Sequence, residues 1–204
     1  MTQLGFFIDV AKCTGCKTCQ VACKDKNGLP VGVNFRRVSE YAGGRWTPVK
    51  GEPGAWQQDV FAYYVSVSCN HCATPACTEV CPTGAHAKRK EDGLVLIDNE
   101  QCIGCKRCAK ACPYGAPQFN VTTRKMMKCN GCVDRLAQGK APSCVEACPQ
   151  RAIEFGDIDE LRRKHGTVAG IAPLPDPRRT RPSLVIKPSR TARPVGDRGG
   201  SVLT

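Results

Sequence analysis

Cys102-Ile-Gly-Cys105-Lys-Arg-Cys108-Ala-Lys-Ala-Cys112-Pro113 is the stretch from which the rest of the chain can be read. Its cysteine spacing recurs in Cys13-Thr-Gly-Cys16-Lys-Thr-Cys19-Gln-Val-Ala-Cys23. Two looser copies stand between and after these. One is Cys69, Cys72, Cys77 and Cys81 with Pro82, where the middle gap is wider; the other is Cys129, Cys132, Cys144 and Cys148 with Pro149, where it is wider still. Both end, like the parent stretch, in three residues, Cys and Pro. The four groups use all 16 cysteines of the 204-residue chain. One departure is visible: the first group ends in Cys23-Lys24, with its spacing intact but no proline.

Short gaps of this kind suit an iron-sulfur cluster. Consecutive ligands on a tight loop reach different irons, while backbone N–H groups point at the sulfides. A proline after the last ligand turns the chain away. Zinc ribbons and disulfides are the rival readings of the cysteines. Zinc sites rarely repeat a terminal Cys-Pro, disulfides need an oxidising compartment, and neither explains the repeat. Composition points the same way. The hydrophobic fraction of 41% counts the cysteines; without them (16 of 204, about 8%) about 33% remains to build a core, low for a globular protein. Bound metal can supply what apolar burial does not, because binding free energy becomes folding free energy. The expected apo-protein is largely unfolded.

The flanks show which groups belong together. Gly5-Phe-Phe-Ile-Asp9 precedes the first group and Gly93-Leu-Val-Leu-Ile-Asp98 the third, each Asp four positions before its first Cys. These are copies of one unit, a strand followed by a cluster loop. Groups two and four carry their matching flank downstream, in Cys81-Pro-Thr-Gly-Ala85 and Cys148-Pro-Gln-Arg-Ala152. A hairpin with its turn near Asp92-Gly93 joins groups two and three. The expected fold is α+β, with two interleaved ferredoxin-like units. Residues 1–23 with 120–170 form the first, and 69–119 the second, with a loop-rich insertion at 24–68 and an extended tail at 171–204. In a two-cluster ferredoxin the fourth cysteine of each motif ligates the other motif's cluster. That rule gives four expected [4Fe-4S] sites. The first is Cys13, Cys16, Cys19 and Cys148, and the second is Cys23, Cys129, Cys132 and Cys144. The third is Cys69, Cys72, Cys77 and Cys112, and the fourth is Cys81, Cys102, Cys105 and Cys108.

The formal charge of +12 would ordinarily suggest nucleic acid or an anionic membrane surface. Four oxidised clusters at about −2 each bring it to about +4, so the basic residues read as compensation for buried anionic clusters, and no nucleic-acid module accompanies them. The N-terminal residues lack the basic and apolar regions of an export signal. The longest apolar stretch, Val60 to Val67, falls far short of the roughly 20 residues that span a bilayer. Membrane attachment is therefore expected through a partner. Residues 24–68 hold Gly43-Gly44, Pro48 and Pro53 and end in the strand-like run Val60–Val67. Arg36, Arg37, Tyr41 and Trp46 read as solvated arginines and a local core cluster, with a partner contact as the alternative. Asp157 to His165, followed by Gly166, has the charge order and cap of a short helix. From Ile171 six prolines stand among arginines without periodicity; this tail is expected to lie extended on a partner, anchored by Leu184-Val-Ile186, and its removal to leave the clusters intact. His71 lies inside a cluster loop, read as an ordinary loop histidine ahead of a cluster-tuning one. His86 and His165 have no visible ligand set. No phosphate-binding glycine loop or nucleophile-base constellation is present, so no catalytic residue is expected.

The four motifs, with Glu40-Tyr-Ala-Gly-Gly44, Cys69-Asn-His-Cys72, Cys112-Pro-Tyr-Gly-Ala-Pro117 and Ala172-Pro-Leu-Pro175, resemble the iron-sulfur subunit of bacterial dimethyl sulfoxide reductase, from about Gly5 to Gly199. The cysteine pattern alone is specific only for the wider set of such subunits, which also serves polysulfide, thiosulfate, nitrate and formate enzymes. The resemblance implies a non-catalytic electron-transfer subunit. Its partners would be a quinol-oxidising integral membrane subunit and a molybdopterin catalytic subunit, with electrons passing from the fourth site towards the first. It also implies a place on the outer, periplasmic-side face by co-export with the catalytic subunit, with a cytoplasmic complex as the alternative; for function, the alternatives are the equivalent subunit of a polysulfide, thiosulfate or other molybdopterin oxidoreductase and a free ferredoxin-like carrier.

Overall fold

The structure, a computed structural model, describes residues 2–203. Strand β1 (Leu4–Asp9) leads into the first cluster loop and helix α1 (Thr18–Lys26). The insertion carries β2 (Arg37–Gly43), β3 (Trp46–Pro48), β4 (Trp56–Gln58) and β5 (Phe61–Val67). Around the second and third groups lie α2 (Ala76–Glu79), β6 (His86–Lys88), β7 (Val95–Ile97), α3 (Arg107–Ala111), β8 (Gln118–Asn120) and β9 (Lys125–Met127). The fourth group brings α4 (Val133–Leu136), α5 (Ser143–Glu146), β10 (Ile153–Asp157) and α6 (Ile158–His165), and the chain ends with β11 (Leu184–Lys187) and β12 (Gly200–Leu203). The protein is mixed α/β.

One pairing occurs twice. The strand after the fourth group, β10, runs antiparallel to β1, the strand before the first group, with Ile8 opposite Ile153. The strand after the second group, β6, likewise runs antiparallel to β7, the strand before the third, with His86 opposite Ile97. The hairpin turn between β6 and β7 contains Gly93 at φ 68°. The alternation of β1 fixes which side of the sheet meets what. Phe6 and Ile8 enter the main core with Val38, Tyr41, Tyr63 and Ile153, and Phe7 turns to the other face, against Ile158, Leu161 and Val185. Helix α6 forms as its charge order predicts. The Asp157 carboxylate accepts from the N–H groups of Asp159 and Glu160, the last turn is basic, and Gly166 follows.

The tail departs from its expected extended course on a partner. Leu184–Lys187 pairs parallel with β1, completing a sheet in the order β10-β1-β11. Leu184, Val185 and Ile186 are all buried. A strand covered on both faces reads as an unbroken apolar run without alternation, and Pro182 and Pro188 bracket it so closely that no periodicity can develop. Further on, Gly200–Leu203 pairs with β2. Tyr41 Oη donates to Asp197 Oδ1 at 2.8 Å, and Tyr63 Oη to the Ala172 carbonyl at 2.7 Å. The insertion is likewise more ordered than a loop-rich reading suggests: β2 and β5 pair along seven residues, in a sheet ordered β12-β2-β5. Tyr41 belongs to the core and Trp46 is exposed, but Arg36 is corrected from a solvated arginine to a buried one, 1% exposed.

Candidate metal centres

Backbone conformation is shared among the four loops. The residue before the second cysteine of each group lies in the left-handed region: Gly15 at φ 72°, Gly104 at 69°, Gly131 at 73°, and in group two His71 at 42°. At Gly104 a side chain is also excluded by space, since a Cβ would stand 2.2 Å from the Arg124 carbonyl oxygen. His71 adopts this conformation at a cost of about 1–2 kcal/mol. Its Nδ1 accepts the Val95 N–H at 3.0 Å in compensation, and the ring is wholly buried.

The prolines act where the sequence places them. Helix α3 stops at Ala111, just before Cys112-Pro113, whereas α1, with Lys24 in the proline's place, runs through Cys23 to Lys26. The paired aspartates are equivalent too. Asp9 and Asp98 each accept, at their carbonyls, the N–H of the cysteine four positions on, at 3.1 Å in both. Their own N–H groups reach Ala152 and Ala85 at 2.8 Å. Each aspartate thus ties the start of one cluster loop to the end of another, and the second loop lies far away in sequence for the first group and near for the third.

Cys13, Cys16, Cys19 and Cys148 line one small cavity, together with Ile8, Val38 and Ile153. Cys69, Cys72, Cys77 and Cys112 line another, with Val95, Tyr114 and Lys128. Cys23 and Cys129 pack into one buried cluster that also holds Cys69 of the third expected site; the charges of Cys144 and Cys132 act on Cys23, and those of Cys69, Cys144 and Cys23 act on Cys129. Cys81 packs into the apolar cluster that holds Cys102 and Cys108, and Cys105 acts on Cys108. None of the cysteines is in a disulfide.

The donor set fits iron-sulfur clusters. Burial pushes the thiols of Cys23 and Cys108 up to about 11 and those of Cys77 and Cys129 up to about 12, so buried thiolates need a bound cation to persist. Backbone N–H groups already point at sulfur: Ala152 N–H to Cys148 Sγ at 3.3 Å, Gly131 N–H to Cys129 Sγ and Met126 N–H to Cys102 Sγ at 3.4 Å. Thiolates that bind four different irons stand farther apart than ligands of one ion. Among the described residues no group of three or more Cys, His, Asp or Glu is gathered closely enough for a single metal ion. Exposure is graded along the set. Cys16 and Cys105, in the first and fourth expected sites, are exposed, whereas every cysteine of the second site is buried.

Two residues escaped the sequence reading. Arg36 and Lys128 are buried cations beside several of these cysteines. The position of Lys128 next to Cys129 was the one available signal, and nothing in the sequence distinguishes Arg36 from its half-buried neighbour Arg37.

A family model for a 4Fe-4S dicluster domain matches residues 60–158, and one for a 4Fe-4S binding domain matches residues 11–29. The protein is 59% identical to the B subunit of anaerobic dimethyl sulfoxide reductase from Escherichia coli (strain K12), over 98% of its own length and 95% of the relative's. The corresponding Haemophilus influenzae subunit is 54% identical, over 98% and 96%. The thiosulfate reductase electron transfer subunit of Salmonella typhi is 41% identical, over 74% of each protein. Among the described residues no helix is long and apolar enough to cross a membrane.

Proposed function

Because the chain belongs to the family of anaerobic dimethyl sulfoxide reductase B subunits, we propose that it is the electron-transfer subunit of such a reductase, relaying electrons from a quinol-oxidising membrane subunit to a molybdopterin catalytic subunit. It holds four [4Fe-4S] clusters in the four sites set out above. The observation that carries this is the convergence of Cys148 with Cys13, Cys16 and Cys19 on one cavity across more than a hundred residues, as ligand exchange between motifs requires. The equivalent hydrogen bonds of Asp9 and Asp98 support two interleaved ferredoxin-like units, residues 1–23 with 120–170 and residues 69–119.

Bound clusters supply one-electron reduction and oxidation without bond rearrangement. The chain's own residues do the rest. The thiols fix the irons, Ile8, Val38, Val95 and Tyr114 keep water from the sulfides, and backbone N–H groups tune the sulfurs. A second site whose cysteines are all buried, with exposed thiols in the first and fourth sites, suits a wire with an entry and an exit. The complex sits at the membrane through its partner subunits, on the periplasmic-side face.

Iron and sulfide analysis with a ligand variant tests this reading. The purified protein should hold about sixteen irons, and Cys148→Ser should damage the cluster of Cys13, Cys16 and Cys19 while sparing that of Cys129, Cys132 and Cys144. Selective damage to the latter would overturn the pairing, and a reproducible count near twelve irons would overturn the four clusters.

A further inference from the structure

Arg36 carries a guanidinium into the interior without a carboxylate partner: none of the ion pairs among the described residues includes it. Nη1 donates to the Ser66 carbonyl at 3.3 Å and hydroxyl at 3.1 Å, Nη2 donates to Ser68 Oγ at 3.0 Å, and the cation lies 4.6 Å over the Phe6 ring. Nε has no partner. Neutral acceptors and one aromatic face compensate a buried charge only partly. The remaining compensation is visible around it. Burial works against the charged guanidinium, but Cys144, Cys19 and Cys129 outweigh it and hold its pKa above the ordinary value. Cys19 belongs to the first site, and Cys144 and Cys129 belong to the second. Ser66, which accepts from Nη1, has its Oγ 3.4 Å from Cys19 Sγ and lines the first site's cavity, and the charges of Cys144 and Cys129 reach the guanidinium from the second site, so Arg36 stands in the gap between two clusters.

Lys128 occupies the next gap. It is also buried and absent from the ion pairs of the described residues. Its Nζ donates to the Val95 carbonyl and to the carbonyl of Cys129, a second-site ligand, the latter at 3.0 Å. It lines the cavity of the third site, where burial raises the Cys77 thiol and the Lys128 charge pulls it back.

We propose that Arg36 and Lys128 are fixed countercharges of the wire, each raising the reduction potentials of the clusters on both of its sides, Arg36 the first and second, Lys128 the second and third. The inference rests on the four-cluster reading above. When one electron enters a cluster its charge becomes more negative by one, and a nearby cation stabilises that reduced form more than the oxidised one. The charge of Arg36 is permanent, so no proton need follow the electron across the first gap. The second cluster, between both cations, gains from each. Both residues act through the cluster environment, and so are positioning residues.

Redox titration of the intact complex, with each cluster followed by electron paramagnetic resonance, tests this. Arg36→Gln should lower the potentials of the first and second clusters, leaving the third and fourth unchanged. At a fixed potential the reduced-to-oxidised ratio of each affected cluster should fall at least tenfold, about 59 mV for a one-electron couple. Lys128→Met should do the same to the second and third clusters only. Arg36→Lys, which keeps the charge, should hold both potentials close to their natural values. Unmoved neighbours in Arg36→Gln with full iron content would overturn the proposal, as would an equal shift of all four clusters. If Arg36→Gln loses iron, Arg36→Lys and Lys128→Met still decide. A charge-keeping variant that loads iron but shows the full fall contradicts the proposal, as does a loaded Lys128→Met with unshifted potentials. Fewer than four clusters in the unsubstituted protein would instead be a failure of the four-cluster reading.

Discussion

In the loop from Cys102 to Cys112 the side chains that organise the backbone are thiols, and the apolar neighbours Ala109 and Ile103 contribute little, Ile103 being exposed. In the sheet β10-β1-β11 the organising side chains are Phe6, Ile8, Ile153, Leu184 and Ile186, all buried. In the four-cluster reading proposed above the first region is held by ligand bonds that exist only with iron present, whereas the second is held by apolar burial that any globular protein uses. The two are nevertheless not independent. Cys19, Cys144 and Cys148 belong to the same buried cluster as Phe6, Ile8 and Leu184, so the sheet rests partly on these cysteines, and the loops lean on the sheet.

Iron removal should break this comparison most forcefully. If the regions share one core, chelating the iron unfolds the whole chain rather than the loops alone, and slow-exchanging amides of β1 and β10 lose their protection together with the colour. The expected effect is loss of the folded state, consistent with structural metal sites whose binding supplies much of the folding free energy. Persistent amide protection in β1 and β10 after complete loss of iron would show the sheet to be self-sufficient.

A cut in the other direction should have the next largest effect. The segment from Ile171 onward contains no cysteine, but it grips the loop of the second cysteine group. The Ala73 N–H donates to the Arg181 carbonyl at 2.8 Å and that of Thr74 to the Thr180 carbonyl at 3.1 Å. Ser183 N–H donates to the Asn70 carbonyl at 3.0 Å and Ser183 Oγ to the His71 carbonyl at 3.1 Å. Removing residues 171–204 should therefore cost the cluster of Cys69, Cys72, Cys77 and Cys112, against the sequence expectation that the clusters survive. The milder Ile186→Ala should cost about 3 kcal/mol, the usual penalty for a buried large-to-small change, with iron content maintained. A truncated protein retaining about sixteen irons would separate the tail from the cluster loops after all.

The same contrast explains what the sequence made legible. Ligand geometry constrains residue identity position by position, so Asp9 and Asp98, Ala85 and Ala152, and the cysteine groups themselves could be matched as repeats along the chain. Apolar pairing constrains only character. Leu184-Val-Ile186 could be read as an anchor, but its partner, β1, lies 178 residues away and leaves no local mark. Arg36 was illegible for a related reason: an arginine is solvated by default, and only the fold brings Ser66, Ser68 and the cysteines of two different motifs around it.

The smallest expected effect sharpens the sheet side of the comparison. Glu154 on β10 accepts Lys164 Nζ at 2.8 Å, and His165 Nε2 lies 3.2 Å from its other oxygen. The His165 ring stacks on Phe7 at 3.6 Å, which joins α6 to β1. Burial raises the Glu154 carboxyl, but the hydrogen bond from Lys164 and the nearby His165 outweigh that and hold it below the usual carboxylate range. A carboxylate with a lowered folded-state pKa adds stability that is present above its unfolded value of about 4.3 and disappears as pH falls through the folded value. The carboxylate is partly exposed, so solvent screening limits the contribution to less than about 1 kcal/mol. Glu154→Gln should remove that increment at pH 7 and flatten the decline in stability towards pH 4, while leaving iron content and cluster spectra unchanged. Denaturant unfolding across that range measures it. An acid decline as steep in Glu154→Gln as in the natural protein would place the sensitivity elsewhere, and a change in the cluster spectra would show that even this edge of the sheet is mechanically continuous with the ligand loops.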